Sequence, residues 1–169
     1  MSRKPASMYR QIKGRPTTRK KYMGGVPGLR ITQFDLGNKQ ADFPIAMSVV
    51  AEEDCQILHR ALEASRVAAN RYIVKRAGRL NYHLKVRIYP HVVVRENKQA
   101  TGAGADRVSQ GMRNAYGKPV GTAARVHTGQ KLITIFTTEA NVDHARMALK
   151  RAKAKLPCPC RIETEKTDE

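Results

Sequence analysis

Apolar residues that recur at every second position predict extended strands in several parts of the chain. The clearest case is residues 84–89, where Leu, Val and Ile alternate with Lys, Arg and Tyr. This alternation places the apolar set on one side of a strand and the polar set on the other. Apolar and β-branched runs bounded by turn residues predict further strands. These runs cover residues 29–36, 45–51, 91–95, 132–138 and 161–164, the last as an edge strand.

Two other segments carry their apolar residues at helical spacing. The first helix is predicted to open at the acidic run 52–54, because acids in a first turn complement the helix macrodipole. Apolar or small side chains then recur three and four residues apart from residue 57 to residue 73. Gly78 is the predicted C-cap. A second helix is predicted from residue 141 to about residue 155, where a proline follows.

The order of these elements predicts the fold class. Two strands, a helix, three strands, a second helix and a last strand are typical of an α+β domain. We expect a single domain over residues 29–164, with the two helices packed on one face of a mainly antiparallel sheet. A basic arm (residues 1–28) precedes this domain, and an acidic tail (residues 165–169) follows it.

Residues 96–121 fit neither a strand nor a helix, because glycines and small polar residues dominate them. A loop of this length inside a compact domain is usually functional or disordered. We therefore predict a flexible basic loop, from about residue 97 to residue 111, that becomes ordered on a partner. Its glycines would allow close approach to an RNA backbone. The predicted contact residues are Lys98, Gly102, Gly104 and Arg107 in the loop, followed by Arg113 and Lys118.

The charge balance indicates a polyanionic partner. Among 169 residues, 32 Lys and Arg face 14 Asp and Glu, which gives a formal net charge of +18. Such an excess destabilises a compact domain by self-repulsion unless a polyanion neutralises it, and nucleic acid is the commonest such partner. An anionic membrane is the rival, but no apolar run is long enough to span a bilayer, and neither predicted helix combines a bulky aromatic apolar face with its cations.

The compartment is predicted from the cysteines and the N-terminal residues. Three cysteines, an odd number, do not form a disulfide framework. Residues 1–21 lack the apolar stretch of a signal peptide. We therefore expect a cytoplasmic protein without a membrane partner.

The basic arm has the composition of an RNA-binding segment. No acid appears before Asp35, and glycines and prolines argue against a regular helix. Arg and Lys would contact phosphates while tyrosine or guanidinium planes stack on bases. The alternative is a solvated, flexible terminus. The predicted contact residues are Arg3, Lys4, Arg10, Lys13, Arg15, Arg19, Lys20, Lys21 and Tyr22.

The first helix offers a second basic surface opposite its apolar stripe. His59 and Asn70 are expected on this exposed side with the cations. Its predicted RNA-binding residues are Arg60, Arg66, Arg71, Lys75 and Arg76. Arginine can contact phosphate through two parallel hydrogen bonds, so an Arg to Lys change there need not be mild.

Motifs for catalysis, nucleotide binding or metal binding are weak. Residues 101–106 lack the third glycine of a dinucleotide-binding loop. Cys158 and Cys160 lack the usual zinc spacing, and Cys55 is expected far away at the start of the first helix. We interpret this pair as incidental, with a thiol role left open. Since no acid, base and nucleophile set is recognisable, we expect a non-enzyme with no catalytic residue, metal, cofactor or small-molecule substrate.

Several segments together resemble a known family. The segments that carry the resemblance are RALEASRVAANR (60–71), RIYP (87–90), GMRNAYGKPVG (111–121), GQKL (129–132) and ALKRAKAKLP (148–157). In this order they resemble the universal L-sixteen family of large-subunit ribosomal proteins. The residues RP (15–16), YMGGVPG (22–28) and the long loop (98–110) resemble its archaeal and eukaryotic branch, called L-ten-e.

The resemblance implies a structural role in translation. It implies binding to 23S-type rRNA near the aminoacyl site and below the central protuberance, in the 5S rRNA neighbourhood, among other large-subunit proteins. It also implies that the loop matching residues 97–111 reaches toward the peptidyl-transferase region and P-site tRNA. The family joins the subunit late, which implies contacts with assembly factors. Bacterial members lack this long loop, so its function is not taken from them. The alternative is an RNA-binding module that acts outside the ribosome.

Overall fold

The computed structural model describes residues 5–12, 14, 21, 23–97 and 117–166. Within these residues the chain forms three α-helices, eight strands and one 3₁₀ turn. In chain order they are α1 (Ser7–Arg10), β1 (Asp35–Gly37), β2 (Ile45–Ala51), β3 (Cys55–Leu58), α2 (His59–Ala77), β4 (Tyr82–Val86), β5 (Val92–Glu96), β6 (Lys118–Val126), β7 (Lys131–Thr137), the 3₁₀ turn (Glu139–Asn141), α3 (Val142–Lys153) and β8 (Cys160–Lys166).

The strands form two antiparallel sheets. The larger sheet has the order β1-β4-β7-β2-β8, and the smaller has the order β3-β6-β5. Helices α2 and α3 pack against each other, and α3 lies against β2, β7 and β8 while α2 lies against β3, β4 and β6. The predicted α+β class is therefore confirmed, with the antiparallel strands divided between two sheets.

One hydrophobic core joins both sheets to both helices. Met47, Ile135 and Leu84 from the larger sheet are fully buried, as are Leu62 of α2 and Leu149 of α3. Apolar residues of the smaller sheet belong to the same cluster. Each fully buried aliphatic side chain of this kind contributes about 1.5–3 kcal/mol relative to its exposed state. Burial of such side chains from both helices holds the helices on one face of the larger sheet.

Several predicted elements are confirmed. Strands β2 and β7 and helix α3 lie close to their predicted bounds, and β8 is an edge strand beside β2. The alternation over residues 84–89 is present, because the even positions are buried and the odd positions are exposed. Gly78 ends α2 with a φ of +82°, a conformation that favours glycine, and its N–H donates to the carbonyl of Val74.

The predicted start of the first helix is wrong. Residues 55–58 form β3, which pairs with β6 from Cys55↔Val126 to Leu58↔Ala123, and α2 begins only at His59. The acids at 52–54 lie before this strand, where Asp54 accepts a hydrogen bond from the N–H of Thr128 at 2.8 Å. Cys55 and Ile57 are buried on one side of the strand. A short apolar run fits both periods, so strand pairing decided the outcome.

The predicted exposure of His59 is also wrong. Its side chain is only 5% exposed. Its Nδ1 accepts a hydrogen bond from the N–H of Arg30 at 3.2 Å. Burial, with Arg60 and Arg30 nearby, lowers the pKa of His59. The ring lies against Gly121, where an added Cβ would come within 3.1 Å of His59 Nε2. This histidine belongs to the packed junction between α2 and β6 and not to the basic surface.

The predicted loop over residues 96–121 overlaps a strand that sequence reasoning missed. Strand β6 begins at Lys118 and crosses the centre of the smaller sheet. Gly121, Thr122, Ala123 and Ala124 are all buried, and such small residues carry no apolar alternation that would signal a strand. Their size suits the close packing under α2.

The predicted first strand is wrong over most of its length. Only Asp35–Gly37 pair with β4. Ile31 is nevertheless fully buried, and the carbonyl of Phe34 accepts a hydrogen bond from the N–H of Val86 at 2.8 Å. At Gly37, φ is +88° and an added Cβ would lie 2.2 Å from the carbonyl oxygen of Tyr82. The chain must turn there, which keeps the strand short.

Candidate nucleic-acid interface

The two long helices present a strongly cationic surface. Over α2 and α3 together, nine Lys and Arg residues face two acids, Glu63 and Asp143. The predicted residues Arg71, Lys75 and Arg76 are exposed at the C-terminal end of α2. Exposed cations of α3 extend this surface; they are Arg146, Lys150, Arg151 and Lys153. This acid-poor surface is suited to a chain of phosphates.

Small residues bring the two helices close enough to share this surface. Ser65 and Ala69 of α2 and Ala148 and Ala152 of α3 are fully buried. The hydroxyl of Ser65 donates to the carbonyl of Ala152 at 3.0 Å. The close approach places the cationic residues of one helix beside those of the other. The two packed helices therefore form one rigid support for these side chains.

A groove of about 580 Å³ runs between the two helices. Its lining includes Arg71 and Lys75 from α2, and Arg151 and Lys155 from α3 and the turn after it. The guanidinium of Arg151 lies over the ring of Tyr72, 4.3 Å from its centroid. The lining residues include no acid.

Arg66 lies apart from this groove. It faces a second cleft, of about 840 Å³, formed by residues 32–39 and α2. Its guanidinium donates to Glu63 at 2.5 and 2.9 Å, and these bonds raise the pKa of Arg66. Arg60, at the start of α2, is only partly exposed. The predicted cationic face of the first helix is therefore divided between two concave surfaces.

The described part of the basic arm contacts the domain through two arginines. Arg10 of α1 donates to the carboxylate of Glu53, and this bond raises the pKa of Arg10. Arg125 of β6 donates to the carbonyl of Gly14 at 2.5 Å. Lys21 is the other predicted contact residue of the arm that the structure describes. These bonds place the short helix α1 against β3.

The ends of the predicted loop are fixed by the smaller sheet. Glu96 pairs with Lys118, which is exposed. Gly117 has a φ of +74°, and an added Cβ would lie 2.2 Å from the backbone carbon of Glu96. The backbones of Gly117 and Glu96 lie too close together for a side chain at position 117. Because Glu96 and Lys118 are paired, residues 97 and 117 leave the sheet side by side.

Many predicted contact residues lie outside the described residues. They are Arg3, Lys4, Lys13, Arg15, Arg19, Lys20 and Tyr22 of the arm, and Lys98, Gly102, Gly104, Arg107 and Arg113 of the loop region.

The cysteines correct one further prediction. Cys55 lies in β3 and not at the start of a distant helix, and its thiol contacts Cys158. Cys158 Sγ lies 3.7 Å from Cys160 Sγ, and all three residues are buried. Hydrogen bonds from Cys160 and Cys55 lower the pKa of Cys158, and the same bonds together with burial raise the pKa of the other two thiols. The three thiols pack as part of the core.

The part of the chain that the structure describes holds neither a metal-ligand cluster nor a membrane-spanning helix. Residues 5–12, 14, 21, 23–97 and 117–166 contain no group of three or more His, Cys, Asp and Glu side chains placed to hold a metal ion. Within the same residues, no helix has both the length and the apolar composition needed to cross a membrane.

Sequence reasoning missed the partnership between Tyr72 and the second helix. The pattern of residues 57–73 places Tyr72 in the apolar stripe of the first helix, and no contact residue is predicted on the second helix. The two residues of the stacked pair lie far apart in sequence, so only the tertiary packing of α2 on α3 reveals them. The sole sequence signal was the density of cations from 146 to 155.

A basic α+β domain with an acid-poor surface on two packed helices has the charge distribution typical of nucleic-acid-binding proteins. Comparison with known sequences is more specific. The family described as ribosomal protein L16p/L10e matches residues 12–163, and the chain belongs to this family.

Archaeal relatives match along nearly the whole chain. The protein named large ribosomal subunit protein uL16 from Methanocella arvoryzae is 56% identical over 169 residues, covering 100% of this chain and 98% of that protein. The proteins of the same name from Methanoculleus marisnigri and Archaeoglobus fulgidus are 57% and 53% identical over 166 and 169 residues. They cover 98% and 100% of this chain and 98% and 97% of their own lengths. The predicted family and its archaeal branch are confirmed. The members of this family are structural ribosomal proteins, which agrees with the prediction that this chain is not an enzyme.

Proposed function

We propose that this chain is a structural constituent of the large ribosomal subunit and binds large-subunit rRNA. The observation that carries the proposal is the acid-poor surface of α2 and α3 in a chain of this family. Its relatives are named as large ribosomal subunit proteins. The rRNA supplies the negative charge that offsets the chain's net charge of +18.

Two described regions support phosphate binding by different means. The exposed cations of α2 and α3 stand on packed helices, so only their side chains, and not the backbone, have to be ordered when RNA binds. The basic arm instead adds a segment that follows the RNA surface. Its described part is fixed to the domain by bonds of Arg10 and Arg125. The arm and the helices together would hold the domain in one orientation on the RNA.

The finer part of the proposal concerns location. We infer that the domain lies near the A and P tRNA sites, in the 5S rRNA neighbourhood, and that the loop reaches tRNA. This location is what the resemblance to the family implies, and the pairing of Glu96 with Lys118 starts the loop from one end of the smaller sheet. Assembly factors and neighbouring ribosomal proteins would contact the domain when it joins the subunit.

Replacement of the uL16-type protein in an archaeal host tests the proposal. A tagged copy of this chain should co-sediment with large subunits after a high-salt wash and should support growth. Footprinting of the rRNA in those subunits should show protection beside the tRNA sites. A chain that remains in ribosome-free fractions bound to other RNA would contradict the proposal and favour a module that acts outside the ribosome.

A further inference from the structure

The groove between α2 and α3 has the chemistry of a nucleotide-sized site. Four cations line it, two from each side: Arg71, Lys75, Arg151 and Lys155. Its volume of about 580 Å³ lies within the range of sites for small ligands, roughly 300–1,000 Å³. A flat cationic surface could neutralise phosphates without such a concavity, so the groove offers more than charge.

The stacked pair of Arg151 and Tyr72 gives the groove a planar element. The guanidinium carbon of Arg151 lies 4.3 Å from the Tyr72 ring centroid. This cation–π contact attracts the guanidinium, itself a planar group, to the face of the ring. Ala68 and Ala154 also line the groove. Their short side chains leave room for a flat group to approach this plane.

Unpaired RNA bases match these features better than paired RNA does. A splayed base exposes a face that stacks on aromatic rings or on guanidinium planes. Bases within a duplex are already stacked, and the deep, narrow major groove of A-form RNA keeps side chains from reading them. A duplex could reach only the cations of the groove.

We propose that the groove between α2 and α3 binds one unpaired nucleotide of large-subunit rRNA. The base stacks on the Arg151–Tyr72 pair, and the adjoining phosphates contact Arg71, Lys75 and Lys155. This inference rests on the proposed rRNA binding and adds the kind of RNA element that the site selects.

Matched arginine substitutions test the proposal in the full-length chain. Arg151→Lys keeps the charge and removes the plane, whereas Arg161→Lys makes the same change at an exposed position of β8, outside the groove and outside the cationic surface of the two helices. The probes are two labelled RNA hairpins with the same stem, one fully paired and one with a single bulged nucleotide. Affinity is measured by fluorescence anisotropy across a salt series.

The wild-type chain should prefer the bulged hairpin. Arg151→Lys should weaken binding to that hairpin about tenfold, from the scale of base stacking. It should leave the paired hairpin and the salt slope unchanged, because the charge is retained. Arg161→Lys should behave as wild type on both hairpins. Equal effects of the two substitutions, or no preference for the bulge, would overturn the proposal and leave a general phosphate surface.

A second measurement locates the base directly. A 4-thiouridine placed at the bulge should cross-link to the peptides that contain Tyr72 or Arg151, and a cross-link confined to other peptides would overturn the proposal. Circular dichroism confirms that each variant is folded. Failure of the proposed function would look different, because wild-type chain would then show no preference for large-subunit rRNA.

Discussion

Removal of the long loop separates its role from that of the folded domain. The connection between Glu96 and Lys118 contains 21 residues, and deletion of residues 98–110 leaves eight of them. Both ends are held by the β5–β6 pairing, so the shortened connection joins the same two strands as the full loop. We predict that the deletion spares folding and rRNA binding but impairs translation.

The change in stability follows from the entropy of closing a loop. This cost grows as one and a half RT times the logarithm of loop length, so the shorter connection should stabilise the domain by about 0.9 kcal/mol. For a chain of this size, that gain corresponds to a rise in Tm of about 2–4 °C. Urea unfolding followed by circular dichroism measures the free energy of unfolding.

A replacement of the same length provides the control. Residues 98–110 changed to a Gly/Ser sequence keep the closure entropy but remove the basic side chains. This variant should be as stable as the wild type. In extracts reconstituted with large subunits that contain it, translation should fall as much as it does with the deletion. A deletion that costs more than about 2 kcal/mol of stability, and loses rRNA affinity in parallel, would refute the reasoning and show that the loop is part of the fold.

Three further predictions concern the folded domain. Gly117→Ala should lower the free energy of unfolding by about 2 kcal/mol or more in urea titrations, because the positive φ and the approach of Glu96 leave no room for Cβ; wild-type stability would contradict this. Burial lowers the pKa of His59 below its usual value near 6.5, so the unfolded chain binds more protons and stability should fall as pH drops through 6.5 toward the folded-state pKa. His59→Gln should reduce the dependence of the free energy of unfolding on pH between pH 7.5 and 5.5. An unchanged dependence would mean that other groups cause it. Because Cys55, Cys158 and Cys160 are all buried, iodoacetamide at pH 8 should label none of them in the folded chain and all three in urea, as read by peptide mass spectrometry; rapid labelling of the folded chain would contradict their place in the core.

The strands and helices that sequence predicted well are those with a single strong periodicity. Strand β4 alternates cleanly, and α3 has small and apolar residues on one side with cations on the other. The errors arose where two patterns compete. Residues 55–58 satisfy helical and extended spacing alike, and β6 is built from glycine, threonine and alanine that carry no periodic signal. Pairing between distant strands decided both cases.

The candidate site was predicted only in part for the same reason. Charge density along the first helix correctly marked Arg71, Lys75 and Arg76 as exposed cations. It could not show that Arg66 is engaged by Glu63. Nor could it show that Tyr72 meets Arg151, because that contact exists only after the helices pack.

The most direct test of the account is binding of the purified chain to large-subunit rRNA across a salt series, with unrelated RNA of equal length as the reference. For about 6–10 phosphate contacts, affinity should fall by roughly three to five decades between 50 and 200 mM salt on the duplex scale. The account predicts this steep slope together with a preference for large-subunit rRNA that persists at high salt. A shallow slope, or a steep slope with no preference between the two RNAs, would contradict it.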